Sequence, residues 1–450
     1  MSDFRIEVKS DPDASGDEAR PIRIVANDVV FTRLLREGDS DPDDVVLAPP
    51  SVLAWWLVDH WWRLRWESVP PQGHTERWRL AHDLTSVGAG FAWPRLSIWG
   101  EGARVELMQR SDREGVAGPV RFLTDALVFV SGSQFEAGVD AFLTVVADPH
   151  SELTSDARAL QANVRALFEE RGDSSIALWR RFEAQLGYDP DDAPDAVVES
   201  LLELASRFGH SAVGEAAQAA PGPDAAETLE YEMRAAKNSG VVCSLSDSVG
   251  AIGPHLPLRG RSPWREAEDA AKALRSASNV AGPLRNPKLA ALLGISRRDA
   301  FKSRAPSSKT LAYGLRVRDH AHTTERVALR SLAPHDRRFE LSRALGDAIW
   351  SRDEPLGPLA HTGTERQKFQ RAFAQALLCP FDELFEYLAI ESHDRSLSDE
   401  DISAAAYHFG VAKSVVLTLL VNKKIVPREI LEGQRDSDTP LEMEPYVGAA

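Results

Sequence analysis

The sequence predicts an α+β protein with a mixed strand-and-helix N-terminal domain, a helical middle segment and a mostly helical C-terminal domain with a small sheet. Three observations point there. Short runs of β-branched and aromatic residues gather between residues 21 and 150. Apolar residues at helical spacing dominate from 151 to 258. From Ser262 onward, helical segments flank one pair of strand-like runs.

Taken in order, residues 1–20 are rich in Asp, Glu, Ser, Pro and Gly and read as a loosely tethered tail, as do residues 431–450. IRIVANDVVF, RLSIW, ARVELM, VRFL and ALVFV then read as strands. SVLAWWLVDHWWRLRWES follows a Pro-Pro start and carries apolar residues on nearly every face, the pattern of a buried helix. FEAGVDAFLTVVADP closes the block as an amphipathic helix before Pro149.

The middle segment holds LTSDARALQANVRALFEERG, SIALWRRFEAQLGY and DAPDAVVESLLELASRFG, each ended by Gly or Asp-Pro punctuation. AAPGPDAAE breaks the run and GAIGPHLPLRGRSP reads as a linker. Beyond it, SPWREAEDAAKALRSAS and NPKLAALLGIS are helical, and TLAYGLRVR and RVALRSL form a hairpin pattern around DHAHTTE. RRFELSRALGDAIW, TERQKFQRAFAQALLCPFDELFEYL, SDEDISAAAYHFG and AKSVVLTLLVNKK supply the remaining helices. The domain limits expected are therefore 21–150, 151–258 and 259–430 between the two tails.

Charge and composition narrow the function classes. At 450 residues and net charge −16, the chain is acidic enough to repel nucleic-acid phosphates unless a local basic patch intervenes. Two cysteines, Cys243 and Cys379, match no metal spacing and suit a reducing compartment. The first residues are polar and acidic, so no signal peptide is expected, and no apolar run reaches the roughly 20 residues that span a bilayer. A bacterial-type cytoplasmic protein without a membrane partner is the expectation.

In FAQALLCP (Phe373–Pro380), LAALLGIS and the closing AAAYHFGVAKSVVLTLLVNKKIV, residues 262–430 resemble the ImmA/IrrE family of zincin-like metallopeptidases. The resemblance covers somewhat over a third of the chain. It implies a catalytic helix bearing H-E-x-x-H, in which two imidazoles at i and i+4 reach one Zn²⁺ and the Glu activates water. Aligning RRFELSRALGD with that helix puts Arg343, Ala344 and Asp347 at the three positions. A guanidinium offers no lone pair and an alanine no base, which leaves Asp347 as the one residue able to coordinate metal. For the family's third ligand, about one turn before FAQALLCP, the sequence offers Gln367 or Phe369, with Glu365 further upstream.

The implied protein is a degenerate, metal-free member with no cofactor, acting as a binding or regulatory module on a protein partner in bacterial stress or mobile-element control. The whole-chain pattern resembles bacterial proteins that join such a Trp-rich front to a degenerate zincin-like end, with no assigned activity to borrow. Arg343 and Asp347 at i,i+4 are expected to pair on a helix surface, or else Arg343 fills the vacated pocket.

Two other function classes stay open. The first is a metal-dependent peptidase with rearranged ligands, drawing on Asp347, Glu365, His335 and His361, or on His320, His322 and Glu325 at the hairpin tip. The second is a DNA-binding transcriptional regulator in which Lys413, Ser414 and Thr418 lie on the second helix of a helix-turn-helix-like pair around Gly410, with Lys423 and Lys424 beyond; Lys413, Ser414, Thr418 and Lys423 are the candidate contacts. The basic run RQKFQR (366–371) reads as a solvated helix face, with an anionic partner as the alternative. Eight of eleven tryptophans lie between Trp55 and Trp99, where Arg63, Arg65, His82 and Asp83 are candidates for a ligand pocket. The competing reading of that stretch is a core helix with arginines at its rim.

Overall fold

The computed structural model describes residues 3–9, 18–112, 119–147, 154–252, 262–296, 298–302, 310–319, 324–390 and 397–427. The fold class is α+β, with several small antiparallel sheets among many helices. The chain divides into two compact units, one of residues 1–231 with 360–367 and one of 232–359 with 368–450. The middle helices up to residue 231 thus count with the N-terminal unit.

The N-terminal unit opens with β1 (Phe4–Val8), β2 (Arg20–Ala26), β3 (Val29–Val30), β4 (Leu34–Arg36) and β5 (Val46–Ala48). β2 pairs antiparallel with β1, β3 and β5. Asn27 and Asp28 join β2 to β3 with φ of 47° and 69°, the left-handed conformation that a two-residue hairpin turn demands and these residues tolerate. β1 lies inside the stretch expected to be a loose tail. Its Phe4 is buried and tilts against Phe135, so one aromatic anchor orders a segment whose composition suggested none. Residues 431–450 lie outside the described residues.

Next come α1 (Pro50–Trp66), α2 (Glu76–His82), β6 (Leu96–Gly100), β7 (Arg104–Gln109), β8 (Val120–Phe122), β9 (Ala126–Ser131) and α3 (Gly132–Val146). β6, β7 and β9 form an antiparallel sheet, and β4 pairs with β8. Proline at its first turn starts α1, and the chain leaves it extended at Glu67. Leu53, Trp56, Leu57, Trp61, Trp62 and Leu64 bury it into one core with Ile98, Leu107, Val130 and Phe135. Truncating a tryptophan there would cost about 3–5 kcal/mol. α4 (Ser155–Gly172), α5 (Ser174–Gln185), α6 (Asp195–Phe208) and α7 (His210–Ala219) complete the unit, with the start of α8 (Ala225–Ser239).

The C-terminal unit contains β10 (Val241–Cys243), α9 (Ser246–Ala251), α10 (Pro263–Ala277), α11 (Asn286–Leu292), β11 (Gly314–Arg318), β12 (Glu325–Ala328), α12 (Pro334–Trp350) and β13 (Leu356–Leu359). α13 (Glu365–Leu378), α14 (Phe381–Tyr387), α15 (Asp399–Phe409) and α16 (Lys413–Asn422) follow. The sheet runs β10-β12-β11-β13, antiparallel throughout, and places Arg316 opposite Val327 on one side and Gly357 on the other. Leu341, Leu345, Ala348 and Ile349 of α12 share a core with Phe369, Phe373 and Leu377 of α13. Gly346 lets Phe373 close in, since a Cβ there would sit 2.9 Å from its ring. Among the described residues no single helix is long and apolar enough to cross a membrane.

Candidate functional site

The helix that holds Arg343, Ala344 and Asp347 is α12, and it is buried along most of its length. Ala344 is a core residue at 1% exposure, packed where the resemblance would put a catalytic glutamate. Arg343 and Asp347 are buried too, at 2% and 0%, so the expected surface pair is not on a surface. An Asp and an Arg one turn apart on α12 face inward because the opposing elements supply partners for both.

Those partners form a chain of polar contacts. Arg316 of β11, itself fully buried, brings Nε and Nη2 each to 2.8 Å from Asp347 Oδ2. Gln370 of α13 donates from Nε2 to Asp347 Oδ1 at 2.7 Å and to the Pro358 carbonyl at 3.0 Å, while its Oε1 accepts from Arg343 Nη2 at 3.1 Å. Arg316 Nη1 continues to Glu325 Oε2 at 3.0 Å, and Arg318 reaches the other Glu325 oxygen at 3.3 Å. Gly357 is required at its position, because a Cβ there would collide with the Asp347 carboxylate and approach Arg316 Nε. Burial, with Arg371 nearby, pushes the Arg343 guanidinium down to about 9, which leaves it cationic at neutral pH.

Such an arrangement is poor at coordinating a cation. Both Asp347 oxygens are already engaged, one by a guanidinium and one by an amide N–H, and each would have to be released inside a dry core. No group of three or more His, Cys, Asp or Glu side chains placed to hold a metal ion occurs among the described residues.

The other positions singled out in the sequence fall elsewhere. Gln367 accepts from the Ala360 N–H and donates to Glu215, and Glu365 is held by Arg104 at 2.7 Å and the Ala103 N–H at 3.1 Å. Phe369 is core. His335 is exposed beside Asp336 and lies twelve residues before Asp347 on the same helix, about 18 Å along its axis, too far to share an ion with it. His361 is exposed. His320 and His322 lie outside the described residues, and Glu325 is committed to Arg316 and Arg318. The run 366–371 is not a solvated face, because Arg366, Gln367, Phe369 and Gln370 are all buried.

In the N-terminal unit, two of the four pocket candidates, Arg63 and His82, meet through Glu67. Glu67 Oε2 lies 2.7 Å from Arg63 Nε and 3.0 Å from His82 Nε2, while His82 Nδ1 meets the Ile98 carbonyl at 2.7 Å. Arg63 also reaches Asp189 at 3.4 Å. Burial alone would raise the Glu67 carboxyl, but His82 and Arg63 together hold it below its ordinary value. Trp78 stacks on both His82 and His74. Arg63, Glu67, Arg77, Trp78, Tyr188 and Gln218 line a cleft of about 230 Å³. Arg65 points elsewhere, to Glu136 and the Gly102 carbonyl, and Asp83 caps the turn after α2 through the Thr85 N–H.

At the C-terminus, α15 ends on Gly410 with φ of 65°, and α16 leaves at a bend of 109°. Lys413 pairs with Asp399 at 2.8 Å, and Lys423 pairs with Glu268 at 2.9 Å while lying over the Phe381 ring. Ser414 and Thr418 share α16 with Lys413. The first turn of α15 is acidic, with Asp399, Glu400 and Asp401.

In comparisons with known proteins, the chain matches no family model, no curated protein and no solved structure. Sequence reasoning missed Gln370 and Arg316 at the α12 site. Gln370 stands three residues before FAQALLCP, a spacing that could have found it. Arg316 comes from a separate strand, and nothing in its local sequence links it to Asp347.

Proposed function

We propose that the C-terminal unit is a metal-free, peptidase-like binding or regulatory module that works on a protein partner, in bacterial stress response or mobile-element control. One observation carries the reading: the residue at the single position still able to bind metal, Asp347, is locked by Arg316 and Gln370. Arg343 and Ala344, at the other two motif positions, can neither ligate nor act as base. With no base and an occupied carboxylate, what α12 and α13 offer a partner is the surface their shared core supports. The reading sets the protein in the cytoplasm, where the free, buried Cys243 and Cys379 stay reduced. Metal content of freshly purified protein tests it, together with chelator-sensitive cleavage of any captured protein partner. Substoichiometric zinc and an intact partner are expected; stoichiometric zinc with chelator-sensitive cleavage would favour a peptidase with rearranged ligands.

The 109° bend at Gly410 favours a second reading, a DNA-binding regulator, since helix-turn-helix pairs cross at about 90–120°. Against it stand the ion pairs that neutralise Lys413 and Lys423. A salt-dependent mobility shift, lost on combining Lys413→Ala with Lys423→Ala, would support it.

A further inference from the structure

A cavity of about 520 Å³ opens in the N-terminal unit, walled by Trp61, Trp62 and Trp66 of α1, Phe168 and Arg171 of α4, Arg181 of α5 and the carboxylates of α3. Its size falls in the range of small-molecule sites, roughly 300–1,000 Å³. Two carboxylates, Glu136 and Asp140, and two guanidiniums, Arg171 and Arg181, line it, but Arg65 from outside the lining takes one of the carboxylates. Glu136 is taken by Arg65 at 2.6 Å, and Asp140 by Arg171 at 3.0 Å. Arg171 also lies 4.3 Å over the Trp61 ring. Arg181 is the guanidinium left over.

Among the described residues, Arg181 has no carboxylate partner, and its buried Nε has no acceptor. Its contact is with the Trp66 ring, 4.2 Å away, whose indole also carries Arg65 at 3.9 Å. The nearby Glu215 feels its charge but is bonded by Thr364 at 2.8 Å and Gln367 at 3.2 Å. Burial, with Arg65 beside it, pushes Arg181 down to about 10, so an anion placed there relieves a cost already present in the fold.

We infer that this cavity binds a small ligand with a flat apolar body and one anionic group, a carboxylate or a phosphate, with Arg181 as counter-ion and the tryptophans as walls. Trp62, Phe168, Ala177 and Leu178 supply the apolar part of the wall between the guanidiniums, and a planar guanidinium matches either oxyanion in two-point contact. This site is separate from the Arg63–Glu67–His82 cluster and makes no use of the α12 network.

The test is calorimetric titration of the full-length protein with 2-naphthoate, 2-naphthyl phosphate and the neutral 2-naphthamide. At least one anion should bind once per chain and at least tenfold more tightly than the amide. A preference for the naphthoate identifies a carboxylate ligand, and a preference for the phosphate ester identifies a phosphate one. Arg181→Gln should abolish the tenfold advantage, leaving the amide unchanged, whereas Arg181→Lys should retain part of it. Equal binding of all three probes, no binding by any, or an advantage that survives Arg181→Gln would overturn the inference. Should Arg181→Gln fail to fold, the wild-type comparison of anions with amide still decides.

Discussion

Removing the Asp347 carboxylate should reveal how the α12 region is held. In Asp347→Ala, Arg316 keeps its burial and its contact with Glu325 but loses the acceptor 2.8 Å from two of its nitrogens. Gln370 loses its 2.7 Å acceptor at the same time. Stripping one partner from a buried pair costs about 3–5 kcal/mol, because the surviving charge stays desolvated. A domain's whole stability is about 5–15 kcal/mol, so the C-terminal unit should be severely weakened or unfolded. Asp347→Asn leaves an acceptor for Gln370 and should cost less. Arg316→Met combined with Asp347→Leu removes both charges, and the double variant should lose much less than the sum of the two single changes. Since the chain has two units, amide exchange of peptides from α12 and α13 is the appropriate assay, read beside urea unfolding followed by circular dichroism. Protection in α12 that stays within about 1 kcal/mol of wild type in Asp347→Ala would refute the reasoning.

Three further outcomes follow from the same contacts. Gly357→Ala should mimic the loss of the ion pair, costing roughly 3 kcal/mol or more by urea unfolding, because the added methyl occupies the carboxylate's place. Glu67 has a folded-state value below its ordinary 4.5, so its contribution is present above about that pH and is lost as pH falls through the folded value. Acid titration of stability should therefore show a steeper limb below that point in wild type than in Glu67→Gln. Burial pushes Cys379 up to about 12 and raises Cys243 as well, so a thiol-specific disulfide reagent should label neither in the native protein and both after denaturation.

Local patterns in the sequence located most helices and strands correctly, because apolar periodicity reports which face of an element is buried. The hairpin of β11 and β12 and the all-round burial of α1 were both legible this way. β1 was not, since its charged and polar neighbours outweigh Phe4 in composition, although pairing with β2 fixes it. At α12 the sequence singled out Arg343, Ala344 and Asp347 but not the residues that surround them. The i,i+4 spacing of Arg343 and Asp347 suggested a surface pair, yet the geometry around them was set by Arg316 and Gln370, which are 31 and 23 residues from Asp347. The same limit hid the contact between Glu67 and His82, which depends on α2 folding back to bring His82 to its side. Long-range partners of buried polar groups leave no local periodic trace.

As proposed here, α12 serves as a frame without a metal. The most direct test of that role is the zinc content of freshly purified full-length protein, measured by elemental mass spectrometry with and without prior chelation, beside the melting temperature of each sample. Far less than one zinc per chain and a melting temperature unmoved by the chelator are expected. One zinc per chain, with a melting temperature that falls when it is stripped, would contradict it.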